Sequence, residues 1–211
     1  MDDITADIAL SERPLIVCDV DDVVLQFVGP FQSFLQDHGY RLLPRSFRLH
    51  GNIVSAINEQ PVDHADVTGL IAGFFDSQER WQVPIAGAAE ALQMLSSDAD
   101  VVFLTAMPTR YFAQRRRLLD SLGFAFPLIA TEDAKGPLVA RLHASREHKI
   151  AFVDDMVHNL HSVGQHKSDC LLVHLPPISE IHRFAPETPD TARRAGDWSE
   201  ASTLIRDHFG C

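Results

Sequence analysis

At 211 residues with 45% apolar side chains, the chain is long enough to bury a hydrophobic core without disulfides or a structural metal, and its composition excludes wholesale disorder. Asp and Glu outnumber Lys and Arg by 29 to 18, a net charge of −11 that repels a phosphate backbone and argues against a general nucleic-acid-binding role. Three cysteines, Cys18, Cys170 and Cys211, point to reduced thiols in a cytoplasmic protein, and the acidic, polar opening MDDITADIALSER offers neither a signal nor a membrane span.

In chain order, PLIVC (14–18) is a short apolar run that ends abruptly in DVDD, the pattern of a strand buried on both faces. From 27 to 83 no strand is evident. Phe27, Phe31, Phe34, Leu70, Phe74 and Trp81 recur there at roughly helical spacing, so two to four short helices are expected over the end of the sheet. AGAAEALQML (86–95) reads as a helix, ADVVFL (99–104) as the second strand of the main series. TRYFAQRRRLLDSLG (109–123) reads as a helix with Phe112, Arg115, Leu118, Leu119 and Leu122 near one face, stopped by Gly123. The adjacent Arg115, Arg116 and Arg117 point in different directions on such a helix and read as a solvated face. FAFPLIA (124–130), KIAFV (149–153) and CLLVHL (170–175) are further strands, with helical segments at 135–144 and 155–163 between them. The Pro-rich stretch 176–197 reads as a loop and 198–209 as a closing helix. The expected architecture is α/β: a Rossmann-like parallel sheet of about five strands flanked by helices, residues 1–26 and 84–211, with a small helical cap inserted after the first strand, residues 27–83.

The acidic pairs fall at strand ends. Asp19 and Asp21 follow the first strand, and Asp154 and Asp155 follow KIAFV. In an open parallel sheet that edge is where ligands bind. Carboxylates gathered there repel one another and lose hydration, so a cation is the simple way to hold them, and an all-oxygen set suits Mg²⁺ beside a phosphate. As helix caps or solvated loop residues the same aspartates would be ordinary. Thr105 and Ala106, at the turn after VVFL, offer a hydroxyl and free N–H groups for a phosphate. Lys135, after the third strand of the series, could neutralise phosphate or lie against Asp19.

CDVDDVV (18–24), LTAMP (104–108), Lys135 and FVDD (152–155) together resemble, in order, the four motifs of the haloacid dehalogenase-like hydrolase superfamily, over nearly the whole chain. The resemblance implies that Asp19 attacks phosphorus to give an aspartyl-phosphate. Asp21 would protonate the leaving oxygen and later activate water. Mg²⁺ would be held by Asp19, the backbone carbonyl of Asp21 and Asp155, with Asp154 a further ligand or a residue behind them. Thr105 and the N–H of Ala106 would grip the phosphate, and Lys135 would stabilise Asp19 and the transition state. The implied partner is a small phosphorylated metabolite, with no nucleic-acid polymer and no membrane, acted on by a monomer or homodimer.

The chain departs from the family pattern at Asp22, usually Gly, at Val23, usually Thr, and at Asn159, often acidic. Val23 to Phe27 resemble more weakly the 5'(3')-deoxyribonucleotidase branch, which usually has an acidic residue where Gln26 stands. Asp22, Gln26, Arg110 and Asn159, with Arg48, are candidates for touching substrate or orienting the groups that do. His158 and His161 are spaced for one helix face but lack the further ligands of a zinc site. A phosphotransferase or mutase, or an inactive relative serving as a binding or regulatory module, are the alternatives to a phosphatase.

Overall fold

The computed structural model describes residues 5, 8–144 and 146–210. Cys211 lies outside them, whereas Cys18 and Cys170 are buried free thiols. The chain opens with β1 (Leu15–Cys18) and then enters the insert. There α1 (Val28–Asp37), β2 (Tyr40–Leu42), β3 (Ile53–Ser55), α2 (His64–Asp76) and α3 (Gln78–Trp81) follow one another. The remainder alternates: α4 (Ala88–Leu95), β4 (Asp100–Thr105), a 3₁₀ turn at Thr109–Tyr111, α5 (Phe112–Ser121), β5 (Leu128–Ala130), α6 (Lys135–His143), β6 (Ile150–Asp154), α7 (Val157–His166) and β7 (Leu171–His174). A second 3₁₀ turn at Ile181–Phe184, β8 (Ala192–Arg194) and α8 (Trp198–Phe209) complete it.

Six parallel strands form the sheet in the order β5-β4-β1-β6-β7-β8. The chain builds outward from β1 through β4 to β5, then crosses to the other side for β6, β7 and β8. The ends of β1, β4 and β6 therefore surround the point where the winding reverses, which is where such sheets hold ligands. β1 has no polar residue and is fully buried, as a strand with helices on both faces must be. Its alternate side chains serve two cores. Ile16 and Cys18 join α4, α5 and α8, while Leu15 and Val17 join α6 and α7.

Three expectations need correction. The insert is not purely helical, since β2 and β3 pair antiparallel. The 176–197 segment is not wholly loop, since β8 adds a sixth strand at the edge, where its exposed Arg193 and Arg194 discourage further pairing. The strand in FAFPLIA begins only at Leu128, because Pro127 has no N–H to give to the ladder, although its carbonyl accepts from Phe103 N at 2.8 Å. Within the insert, Phe31, Phe34 and Phe74 pack with Leu35, Ile53 and Val67 into a separate small core. Most of the aromatics read from the sequence are thus spent on the insert itself.

One close approach fixes a side chain used below. At Gly136, the second residue of α6, an added Cβ would lie 2.2 Å from the Ser162 carbonyl oxygen of α7. The Gly136 amide donates to Ser162 Oγ at 3.2 Å. Only glycine permits α6 and α7 to cross at this distance.

Candidate active site

The loop after β1 is tied almost entirely by its own backbone. Asp19 N donates to Val153 O of β6 at 2.9 Å, so Asp19 extends the sheet register. The amides of Val23, Val24 and Leu25 then converge on the single carbonyl of Val20, at 3.3, 2.8 and 2.9 Å. That tight turn requires Asp22 to adopt φ 58°, the left-handed region that Asp tolerates better than most residues. Asp22 does more than tolerate it. Its carboxylate accepts from Phe27 N at 2.8 Å and reaches Val28 N, covering donors that open α1. Its side chain is buried, and burial pushes its carboxyl up to about 6. Val23 is fully buried, and its carbonyl accepts from Trp198 Nε1 at 2.8 Å, so an indole braces the loop.

Asp19, Lys135, Asp154 and Asp155 meet at the adjoining ends of β1 and β6. The Lys135 ammonium, almost completely buried, stands 2.6 Å from Asp19 Oδ1 and 2.7 Å from Asp154 Oδ2. Towards Asp154 it makes a directed hydrogen bond. Towards Asp19 the contact is a close ion pair outside hydrogen-bond geometry. Asp154 is saturated, since its oxygens also accept from Met156 N at 2.8 Å and from Asn159 Nδ2 at 3.0 and 3.1 Å. Asn159 therefore faces Asp154, as an amide donor that a carboxylate could not replace. Asp19 and Asp155 both open on a cavity. Burial, with help from Asp154, pushes the Asp19 carboxyl up to about 7 despite Lys135, and Asp155 is raised strongly by burial and the same neighbour.

Asp21 belongs to a second cluster. Arg115 Nη2 donates to both its oxygens, at 3.0 and 3.2 Å, and Gln82 Nε2 donates to Oδ1 at 2.8 Å. Thr105 Oγ1 is 3.5 Å from Oδ2. Gln78 Oε1 accepts from Arg115 Nε at 2.5 Å, and Gln82 Oε1 accepts from Arg115 Nη2 at 3.1 Å. Arg115 is entirely buried, which overturns its reading as part of a solvated face. The signal lay in the helical spacing that put it beside Leu118 and Leu119, both buried on the same face of α5. Its neighbours Arg116 and Arg117 are the more exposed ones and pair with Asp120 and Glu79.

The cavity, of about 320 Å³, is lined by Asp19, Asp21, Asp22, Asp155 and Asn159 on one side and by Phe27, Phe47, Arg48 and Phe75 near or within the insert on the other. Ala106, Met156 and His158 complete part of the wall. Thr105 is fully buried behind Ala106, and Asp154 and Lys135 lie behind Asp19. Gln26 and Arg110 are not in the lining. The Gln26 carbonyl accepts from Gln82 Nε2 at 3.0 Å, while its side chain borders a different groove beside Trp198. Arg110 lies over the Tyr111 ring, 4.6 Å from its centroid. His161 is exposed. A histidine not foreseen, His182, enters the wall from the second 3₁₀ turn, with Nε2 3.4 Å from Asp155 Oδ2, Nδ1 2.7 Å from Ser179 Oγ, and Phe47 against its ring. Burial and the nearby His174 push it down to about 4. Nothing in the Pro-rich segment around it marks the position by spacing.

The residues fit a divalent cation. One oxygen each from Asp19, Asp154 and Asp155 lies within 4.8 Å of the others, as do ligand atoms of Asp22, Asp155 and His182. Three buried carboxylates against one ammonium leave an excess of negative charge, and the raised proton affinity of Asp19 and Asp155 expresses the same imbalance. Hard oxygen donors of this kind suit Mg²⁺.

No protein-family model and no curated protein matches the sequence. Solved structures do match. A haloacid dehalogenase-like family hydrolase from Xanthomonas campestris superposes with TM-score 0.59 at 14% identity, covering 96% of this chain and 96% of that one. A haloacid dehalogenase-like family hydrolase from Streptococcus pneumoniae gives TM-score 0.60 at 10% identity, covering 92% and 99%. The D,D-heptose 1.7-bisphosphate phosphatase from B. bronchiseptica, complexed with magnesium and phosphate, gives 0.52 at 15%, covering 92% and 98%. At these identities the likeness is one of fold: the chain has the haloacid dehalogenase-like fold, its Rossmann-like sheet carrying inserted helical segments.

Proposed function

We propose that the protein is a magnesium-dependent phosphatase acting on a small phosphorylated metabolite through an aspartyl-phosphate. The observation that carries this reading is that Asp19 and Asp155 open on one cavity while Lys135 stands 2.6 Å from Asp19 and 2.7 Å from Asp154. Asp19, Asp155 and the backbone carbonyl of Asp21 would hold Mg²⁺, with Asp154 keeping Lys135 and Asn159 in place behind them. When bound, the ion supplies positive charge that lets a carboxylate approach a phosphate dianion.

Asp19 forms the new O–P bond as the bond from phosphorus to the leaving oxygen breaks, and Asp21 delivers a proton to that oxygen. A water then attacks the aspartyl-phosphate, giving its proton to Asp21, and the P–O bond to Asp19 breaks to release phosphate and restore the carboxylate. Lys135 balances charge at Asp19 throughout. The amide of Ala106, a residue of the cavity wall that follows β4, would donate to phosphate oxygens beside the buried Thr105. Phe27, Phe47, Arg48 and Phe75 would bound the leaving group and limit water.

The test is release of inorganic phosphate from 4-nitrophenyl phosphate with Mg²⁺. Asp19→Asn is expected to lower kcat by about 10³-fold or more. A fully active Asp19→Asn protein would rule the mechanism out, and product appearing as a phosphorylated acceptor instead of free phosphate would identify a transferase.

A further inference from the structure

We propose that Arg115, acting with Gln78 and Gln82, is a positioning residue that sets where Asp21 stands and couples it to the insert, an inference that rests on the phosphatase reading above. The guanidinium meets Asp21 through Nη2, at 3.0 and 3.2 Å, and its remaining contacts are to the insert and its exit. Gln78 begins α3 and Gln82 follows it directly, so both belong to the segment by which the chain leaves the insert. Gln82 also donates to the Gln26 carbonyl at 3.0 Å, where the chain enters. The entry, the exit and the proposed proton carrier are therefore joined by one hydrogen-bonded cluster. A movement of the insert against the sheet would shift Gln78 and Gln82, and through them the hydrogen bonds that hold Arg115 and Asp21.

A purely structural role accounts poorly for this arginine. Its Nη1 is buried with no hydrogen-bond partner among the described residues, and burying a guanidinium is commonly less favourable than burying an apolar side chain of similar volume. Its face of α5 is otherwise apolar. Phe75, part of the cavity wall, lies 5.9 Å below the guanidinium, so the cation is also in contact with the substrate side of the site. A planar fork spanning a carboxylate and two amides is a geometry that Lys cannot reproduce.

The experiment compares 4-nitrophenyl phosphate with phenyl phosphate, two substrates of similar shape whose leaving oxygens differ in their need for a proton. If Arg115 positions Asp21, Arg115→Met loses about ten-fold more kcat on phenyl phosphate than on 4-nitrophenyl phosphate, with KM changed less than about twofold, and Arg115→Lys recovers only part of the loss. Equal losses on both substrates, or a change confined to KM, would overturn the proposal and leave the phosphatase reading standing. No phosphate release by the wild-type protein from either substrate would overturn both. Should Arg115→Met fail to fold, Gln82→Ala decides: a smaller skew in the same direction supports the proposal, and none overturns it.

Discussion

Two buried cations serve the carboxylates of this site, and they differ in what surrounds them. Lys135 opens α6, is shared between Asp19 and Asp154, and meets side chains that are themselves almost wholly buried. Arg115 lies one turn into α5 and meets Asp21, whose side chain keeps 20% of its exposure, together with two amides. Lys135 and Asp154 are shut off from water, Asp19 meets it only through the cavity, and the group depends on charge balance. The second can rehydrate one partner and depends on geometry. The same type of interaction is thus set to hold charge in one place and position in the other.

Breaking the first pair is expected to have the largest effect. Lys135→Met leaves Asp19, Asp154 and Asp155 facing one another, and should lower the unfolding free energy by about 3–5 kcal/mol in metal-free urea titrations. Arg115→Met should cost less, about 1–3 kcal/mol by the same measurement, because Asp21 can turn to solvent. If the two variants were equally destabilised, the contrast between charge and geometry would be wrong.

A pH titration sharpens it further. Burial pushes Asp19 up to about 7 and Asp22 up to about 6, above their ordinary values in an unfolded chain. Through these two carboxyls the folded protein binds more protons than the unfolded one between about pH 4 and 7, and their contribution to stability falls as pH rises, while His182, pushed down to about 4, works in the opposite direction below about pH 6.5. Measured against Asp19→Asn, in which the histidines titrate alike, the metal-free Tm should drop by a few degrees between about pH 5 and pH 8. Mg²⁺ should restore it at the higher pH and do little at the lower, where the carboxyls hold protons instead. A Tm difference that rose over the same range would reverse the assignment of Asp19. The smallest effect belongs to Asp22→Asn. This change keeps the left-handed backbone and one acceptor for Phe27 N while removing the buried charge, so stability should change by no more than about 1 kcal/mol.

The same contrast explains what could be read from the sequence. Asp19, Asp21, Asp154 and Asp155 stand at the ends of apolar runs and Lys135 opens the helix after another, so strand placement draws them to one edge. Arg115 has no such neighbour. It is recognisable only as a charge on the apolar stripe of α5, a weaker mark than three adjacent arginines that looked solvated. His182 reaches the site across a long connection that carries no periodicity. β2, β3, β5 and β8 have three described residues each, too few for a period of two to show, and β8 consists of Ala and two exposed Arg. The longer runs of β1, β4 and β6, by contrast, announce the sheet directly.

The hydrogen atom that serves as the side chain of Gly136 has a reach well beyond its size. Even one methyl group there would act as a wedge between two crossing helices, and the residue next to it is Lys135. Prying α6 outward would draw the ammonium away from both carboxylates, so what positive charge the site keeps against Asp19 and Asp154 depends on how closely two helices cross.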